Sequence, residues 1–286
     1  MVGKVMYYVN KLCPVCLSIT RELAKYFACP TKLHWKALSR LVGYIKGSIG
    51  KGRLLRKPKE MKIVAFTDSY YANREDRKSV TGGVITLGGT PTHSMSKTQA
   101  IVSLSSTEAE YIALSAVAQE VLFQSQILDE LLGENHVKPS LIFEDNIGAI
   151  YLTKNSQVSQ RTKHIDVRHH FIRGMIEKKV LYVRFVKSRL NTSDVMTKTT
   201  KEDLFVKHEK SINIGRIKYN AKELSVDDDE EVDIEKPKEK LNLFVDGVAD
   251  AKREDVEVVN RNFIKNAFED LNVEDLSEEA LSDTWD

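Results

Sequence analysis

The chain has 286 residues, of which 42% are hydrophobic and 29% are charged, a composition typical of a soluble globular protein. No run approaches the roughly 20 consecutive apolar residues of a membrane-spanning helix, and the first residues lack the apolar core of a signal peptide. We therefore expect no membrane partner and a cytoplasmic or nuclear location.

The formal net charge of +2 conceals a basic body and an acidic tail. Residues 1–220 contain 35 Lys and Arg against 19 Asp and Glu, whereas residues 221–286 contain 8 against 22. A body with this excess of positive charge suits a phosphate-rich partner, because each neutralised phosphate releases condensed counterions. Charge alone does not distinguish DNA from RNA.

The first region, residues 1–60, is helical in pattern. The predicted helices are 17–27 and 34–46, and the basic, glycine-containing residues 47–60 are predicted to be a linker.

This region also contains Cys13, Cys16, Cys29 and His34, which are ligand types that zinc accepts. The predicted helix that begins at residue 17 would have to fold tightly for all four to converge. We therefore favour a structural role, and metal binding stays open.

The second region, residues 61–215, changes hydrophobic period repeatedly, as alternating strands and helices do. The predicted strands are 62–67, 80–87, 92–104, 141–143 and 180–187, and the predicted helices are 105–132, 147–153, 163–178 and one from 192 onward. Consecutive strands favour an antiparallel meander, whereas strands separated by helices join in parallel. The predicted fold class is α/β, with a mixed five-stranded sheet of three antiparallel and two parallel strands and helices on both faces.

The third region, residues 216–286, is acidic. The run 227–231 (DDDEE) favours an open chain because like charges repel. Residues 242–248 and 260–271 have enough apolar residues for a short strand and a short helix. We nevertheless expect this tail to be mostly disordered, with transient helix and no second core.

Four acidic residues lie where predicted strands or helices end. Asp68 and Asp145 follow apolar strands, and Glu110 and Asp194 lie near helix starts. Carboxylate oxygens are ligands for divalent cations, and ligands bind at the carboxyl ends of strands in open α/β sheets. The alternative roles are a turn at Asp68 and helix caps at Asp145 and Asp194.

Local pattern separates Glu110 from its neighbour Glu108. Ser105 and Glu108 form a capping box, in which the Glu108 carboxylate accepts from the Ser105 N–H. Glu110 instead shares an apolar helical stripe with Ala113 and Val117. A charge on that stripe is costly unless it is paired or bound to a metal.

Five blocks between residues 62 and 200 carry a family resemblance. In chain order they are FTDSYYANREDRKSVTGGVITLGG, SLSSTEAEYIAL, FEDNIGAIYLTKN, RTKHIDVRHHFIR and NTSDVMTK. They resemble the ribonuclease H domain of copia-type LTR retrotransposon Pol polyproteins. The preceding residues 1–60 resemble the end of the reverse transcriptase and its connection region.

The resemblance implies a ribonuclease H-like fold over residues 61–215 and endonucleolytic hydrolysis of the RNA strand of RNA/DNA hybrids. It implies that Asp68, Glu110, Asp145 and Asp194 are catalytic and hold two Mg²⁺ ions, for which Mn²⁺ is a substitute. The implied partners are the hybrid and the reverse transcriptase portion of the same element. No paired-aspartate polymerase motif precedes the first region, so we expect no polymerase active site.

Five polar or basic residues are predicted contacts to the nucleic-acid backbone, with solvated surface charge as the alternative. They are Lys97, Gln99, Arg161, Lys163 and Arg168. Two other functions stay open, a decayed or repurposed remnant that binds nucleic acid without cutting it and an integrase-like DNA nuclease. The SSTEAEY and RTKHID blocks argue against the integrase-like nuclease.

Overall fold

The computed structural model describes residues 1–48, 50–57, 60–72, 76–133, 139–154, 166–212, 214–216 and 256–258. The helices are α1 (Val2–Lys11), α2 (Leu17–Ala24), α3 (Lys32–Gly47), α4 (Ser106–Leu132), α5 (Ile147–Lys154), α6 (Asp166–Glu177), α7 (Asp194–Thr197) and α8 (Glu202–Ser211). The strands are β1 (Lys51–Arg56), β2 (Ile63–Tyr70), β3 (Val80–Leu87), β4 (Thr90–Thr98), β5 (Ser140–Glu144), β6 (Leu181–Phe185), β7 (Ile214–Arg216) and β8 (Val256–Val258). Within these ranges, no helix has both the length and the apolarity to cross a membrane.

The central sheet has the strand order β4-β3-β2-β5-β6. The pairs β4/β3 and β3/β2 are antiparallel, and the pairs β2/β5 and β5/β6 are parallel. This arrangement confirms the predicted mixed sheet with three antiparallel and two parallel strands.

One face of the sheet packs against α4, α5 and α6. Ile85 of β3 and Ile142 of β5 share a buried cluster with Tyr111 and Leu114 of α4 and with Ile172 of α6. Each large apolar side chain buried in this way contributes roughly 1.5–3 kcal/mol relative to exposure. This packing fixes where the first turn of α4 meets the sheet.

The opposite face packs against the N-terminal helices. Val84, which precedes Ile85 and therefore points to the other face, shares a second cluster with residues of α1, α2 and α3 and with Val195 and Met196 of α7. Arg21 Nε also donates to Ser96 Oγ of β4 at 2.9 Å. Helices thus cover both faces, as predicted; the division into a segment 1–60 and a domain 61–215 stays a prediction.

Several elements differ from the sequence predictions. Helix α1 was not predicted, although Val5, Tyr8 and Val9 form its buried stripe. The predicted linker contains β1, which pairs antiparallel with β7 and β8. The single helix predicted from 192 is two helices, α7 and α8.

Parts of three predictions lie outside the described residues. They are the start of the helix 163–178 and, in the tail, the strand 242–248 and the helix 260–271. Within residues 217–286 the structure describes only β8, so the predicted disorder of that tail also falls outside.

Candidate metal centre

Parallel pairing of β2 and β5 places Asp68 beside Asp145. Phe66 of β2 is in register with Phe143 of β5, and each carboxylate follows its paired phenylalanine by two residues. Asp68 lies within β2, which continues to Tyr70, so the alternative of a turn at Asp68 is wrong. The side chain that caps α5 is Asn146, whose Oδ1 accepts from the Ala149 N–H at 3.0 Å. Capping therefore does not account for Asp145.

The start of α4 brings Glu110 to the same edge. Ser105 Oγ accepts from the Glu108 N–H at 3.2 Å, as predicted, but Glu108 Oε2 accepts from the Leu104 N–H at 2.8 Å and not from Ser105. Glu108 therefore has a capping role. Glu110 is buried, and its Oε2 has no hydrogen-bond partner among the described residues.

Close packing of α7 on β3 positions Asp194. A Cβ atom on Gly82, the register partner of Asp68, would overlap Thr197 Cγ2 and lie 3.0 Å from the Ser193 carbonyl oxygen. Only a glycine permits this approach, which lets Thr197 Oγ1 donate to Asp68 Oδ2. Asp194 itself is buried in the first turn of α7.

A buried amide fixes the segment before α7 to β2. Asn191 Nδ2 donates to the Thr67 carbonyl oxygen at 2.8 Å, and Asn191 Oδ1 accepts from the Ser193 N–H at 3.3 Å. Since Thr67 precedes Asp68, these bonds hold the start of α7 next to the first carboxylate.

The four predicted site residues form two overlapping groups. Asp68, Asp145 and Asp194 each offer one oxygen, and these atoms lie within 4.8 Å of one another. Glu110 belongs to a second group, together with Asp145 and Glu144, in which the ligand oxygens also lie within 4.8 Å of one another. Asp145 is common to both groups, so the structure brings all four residues to one edge of the sheet.

Glu144 was missed by the sequence predictions. It is the last residue of β5 and is fully buried. Two features of the sequence indicate it: Glu144 lies two positions after Ile142 and so shares its buried face, and it directly precedes Asp145.

Burial of these acids disfavours their charged forms. Desolvation, followed by repulsion from Glu144, raises the pKa of Glu110 to about 11. Desolvation raises the pKa of Asp68 to about 7 against the attraction of Lys198, and it raises the pKa of Glu144 well above the ordinary value. Burial and nearby like charges of this kind are typical of functional sites.

Lys198 supplies a positive charge at one side of the centre. Its Nζ lies 3.0 Å from Asp194 Oδ1 and 3.9 Å from Asp68 Oδ2. Burial lowers the pKa of Lys198, but the attraction of these two carboxylates outweighs burial and raises it.

A single ammonium cannot balance five carboxylates. The hard oxygen donors and the unpartnered oxygens of Glu110 and Glu144 therefore fit divalent cations.

The predicted backbone contacts have different surroundings. Lys97 is exposed on β4, and Arg168 is partly exposed on α6. Gln99 is buried; its Nε2 donates to Thr81 and Ala109, and its Oε1 accepts from Ser103. Gln99 therefore has an internal hydrogen-bonding role, which the prediction of a contact to nucleic acid did not anticipate. Arg161 and Lys163 lie outside the described residues.

The cysteines do not assemble a metal site with His34. Both groups of candidate metal ligands in the described part of the chain are entirely acidic. Cys13 and Cys16 are buried with their Sγ atoms 3.7 Å apart, whereas Cys29 is exposed. His34 Nδ1 accepts from the Thr31 N–H at 3.1 Å and so caps α3.

No protein-family model matches the chain. The chain is 34% identical over 205 residues to the retrovirus-related Pol polyprotein from transposon TNT 1-94 of Nicotiana tabacum. The matched segment covers 71% of this chain and 15% of that protein. It is also 31% identical over 217 residues to the retrovirus-related Pol polyprotein from transposon RE2 of Arabidopsis thaliana. That matched segment covers 76% of this chain and 15% of that protein.

Among solved structures, the chain is similar to LC11-RNase H1, isolated from compost by a metagenomic approach. The identity is 17% and the TM-score 0.38, over 48% of this chain and 93% of that one.

The two plant matches confirm the family resemblance. The chain therefore belongs to the retrovirus-related Pol polyproteins of copia-type transposons, and it spans about 15% of the length of these relatives.

Proposed function

We propose that this chain hydrolyses the RNA strand of RNA/DNA hybrids endonucleolytically, with two Mg²⁺ ions as cofactors and Mn²⁺ as a substitute. The observation that carries the proposal is that two sets of three acidic residues, which share Asp145, lie together where β2 and β5 end. Membership of the Pol polyprotein family agrees with a role on nucleic acid.

Asp68, Glu110, Asp145 and Asp194 would hold the ions. A bound pair of divalent cations supplies an activated water and stabilises the leaving 3′ oxygen. The chain contributes rigidity: Thr197 orients Asp68, and Asn191 fixes the segment that carries Asp194. These contacts hold the carboxylates in place before the substrate arrives, which lowers the reorganisation needed during the reaction.

The remaining surface suits a substrate that is recognised by shape. An A-like hybrid presents its backbone and 2′-hydroxyl groups, and the basic body can contact them without reading bases. Lys97 and Arg168 are the described candidates for these contacts, and Arg161 and Lys163 complete the proposed set.

The test is cleavage of a labelled RNA strand, paired to DNA, by the unmodified chain and by Asp145→Asn. We expect internal fragments in Mg²⁺ or Mn²⁺, none in EDTA, and a loss of at least about a hundredfold in the variant. Asp203→Asn, at an exposed position of α8, is the matched control and should retain full activity. Circular dichroism establishes that both variants fold.

Two results would contradict the proposal. Full activity of Asp145→Asn would remove the site assignment. Binding of the hybrid by the unmodified chain, with no cleavage in either metal, would instead support a binding remnant.

A further inference from the structure

We propose that Glu144 is a fifth metal-binding carboxylate, which forms with Glu110 and Asp145 a cation site separate from that of Asp68, Asp145 and Asp194. Asp145 is common to both groups of acidic residues. This inference rests on the proposed function, because it subdivides the same centre and assigns a ligand that the family resemblance does not.

Glu144 is directed into the centre by its place on β5. It pairs in parallel with Phe185 of β6 and shares the buried face of Ile142, which packs against α4. Its Oε1 accepts from the Asn146 N–H at 3.0 Å, which fixes the carboxylate plane. Its Oε2 is buried, without a hydrogen-bond partner among the described residues. The free oxygen therefore belongs to a fully buried side chain whose ligand atom lies within 4.8 Å of those of Glu110 and Asp145.

Two other buried glutamates show what a structural carboxylate looks like in this protein. Glu108 accepts from the Leu104 N–H at 2.8 Å, at the start of α4. Glu209 accepts from Lys51 Nζ at 2.8 and 2.9 Å and from Tyr44 at 2.9 Å. Both are compensated by donors of the protein. A buried carboxylate without such compensation is costly, and a bound cation removes that cost.

The two groups differ in their surroundings. Lys198 lies against Asp68 and Asp194 and partly neutralises the first group. No ion pair to Glu110 or Glu144 is found within the described ranges. The second group therefore has no protein cation within the described ranges to compete with a bound metal, and it should bind the first divalent ion more tightly.

The experiment is a titration of the full chain with Mn²⁺ in the absence of nucleic acid, followed by the electron paramagnetic resonance signal of free Mn²⁺. The unmodified chain should bind two ions with different affinities. Glu144→Gln should weaken the tighter site by more than about tenfold and leave the weaker one, whereas Asp194→Asn should do the reverse. Glu108→Gln is the matched control, because this buried glutamate is outside both groups, and it should keep both ions.

Folding is checked separately by thermal unfolding without metal. Glu144→Met provides a second variant of similar volume that also leaves no unpaired carboxylate, and it should reproduce the loss of the tighter site. Two ions bound with unchanged affinities by Glu144→Gln and Glu144→Met would overturn this inference alone and leave the proposed function intact. Failure of the unmodified chain to bind Mn²⁺ would overturn both.

Discussion

Two regions of this protein bury carboxylates, and they do so in opposite ways. At the junction of α3, β1 and α8, Glu209 is held by Lys51 and Tyr44 at 2.8 to 2.9 Å. At the edge of the central sheet, Glu110 and Glu144 each keep a buried oxygen without a hydrogen-bond partner among the described residues.

The difference shows that burial of an acid is not by itself a functional signal. Glu209 is about as buried as Glu110, yet its neighbours supply the compensating charge and hydrogen bonds. At the sheet edge, Glu110 and Glu144 have no such partners among the described residues, so their ionised forms are costly, and a bound metal ion would remove that cost. Removing a carboxylate should therefore maintain or raise metal-free stability at the sheet edge and lower stability at Glu209.

The largest expected effect is on cleavage by Glu110→Gln. Loss of this proposed ligand should lower the rate by about two to three orders of magnitude. Metal-free stability at pH 8 should stay equal or rise, because Glu110 with its raised pKa must take up a proton on folding and glutamine need not. Fragment release and thermal unfolding in EDTA measure the two effects. A variant that cuts normally, or that unfolds much more easily than the unmodified chain, would show that Glu110 is structural like Glu209.

The converse change is Glu209→Ala, which should destabilise the fold by roughly 2–3 kcal/mol because it leaves Lys51 and Tyr44 without their partner. Chemical denaturation measures this difference. Cleavage per folded molecule should stay unchanged. Lys51→Ala and the double variant complete a cycle, and additive effects would mean that the contact contributes nothing to stability.

Sequence pattern located the proposed metal ligands better than it located the structural pair. Asp68, Glu110 and Asp145 adjoin elements with a clear hydrophobic period, so the ends of those elements were readable locally. Lys51 and Glu209 are 158 residues apart and meet only because α8 packs near β1. No local pattern contains that contact.

The same distinction explains the missed elements. β1 has glycine and basic residues without apolar alternation, and its partners β7 and β8 lie far along the chain. Its strand conformation therefore depends on tertiary pairing and not on local preference. Glu144 was missed because its polar side chain follows the apolar run 141–143 that indicates the strand, although strand alternation places it on the buried face of Ile142.

The pH dependence of stability separates the regions further. The pKa values of Asp68 and Glu110 are raised to about 7 and about 11, so each favours folding at low pH and loses that contribution as pH rises toward those values. In EDTA, the melting temperature should fall by several degrees between pH 5 and pH 8. Glu110→Gln should reduce the fall, and Mg²⁺ should offset it, because binding to the folded state alone stabilises that state. A melting temperature that rises over this interval would contradict the assignment.

The smallest expected effect concerns Lys198, the one ammonium found at the centre within the described ranges. In Lys198→Met, the weaker Mn²⁺ site should tighten by about threefold to fivefold, because the ammonium no longer competes for Asp68 and Asp194. The gain should shrink at high salt, where interactions of a partly exposed charge are screened. Lys187→Met, which removes an exposed charge beyond β6, is the matched control. Equal tightening in both variants would mean that net charge, and not the position of Lys198 between the two carboxylates, sets the affinity.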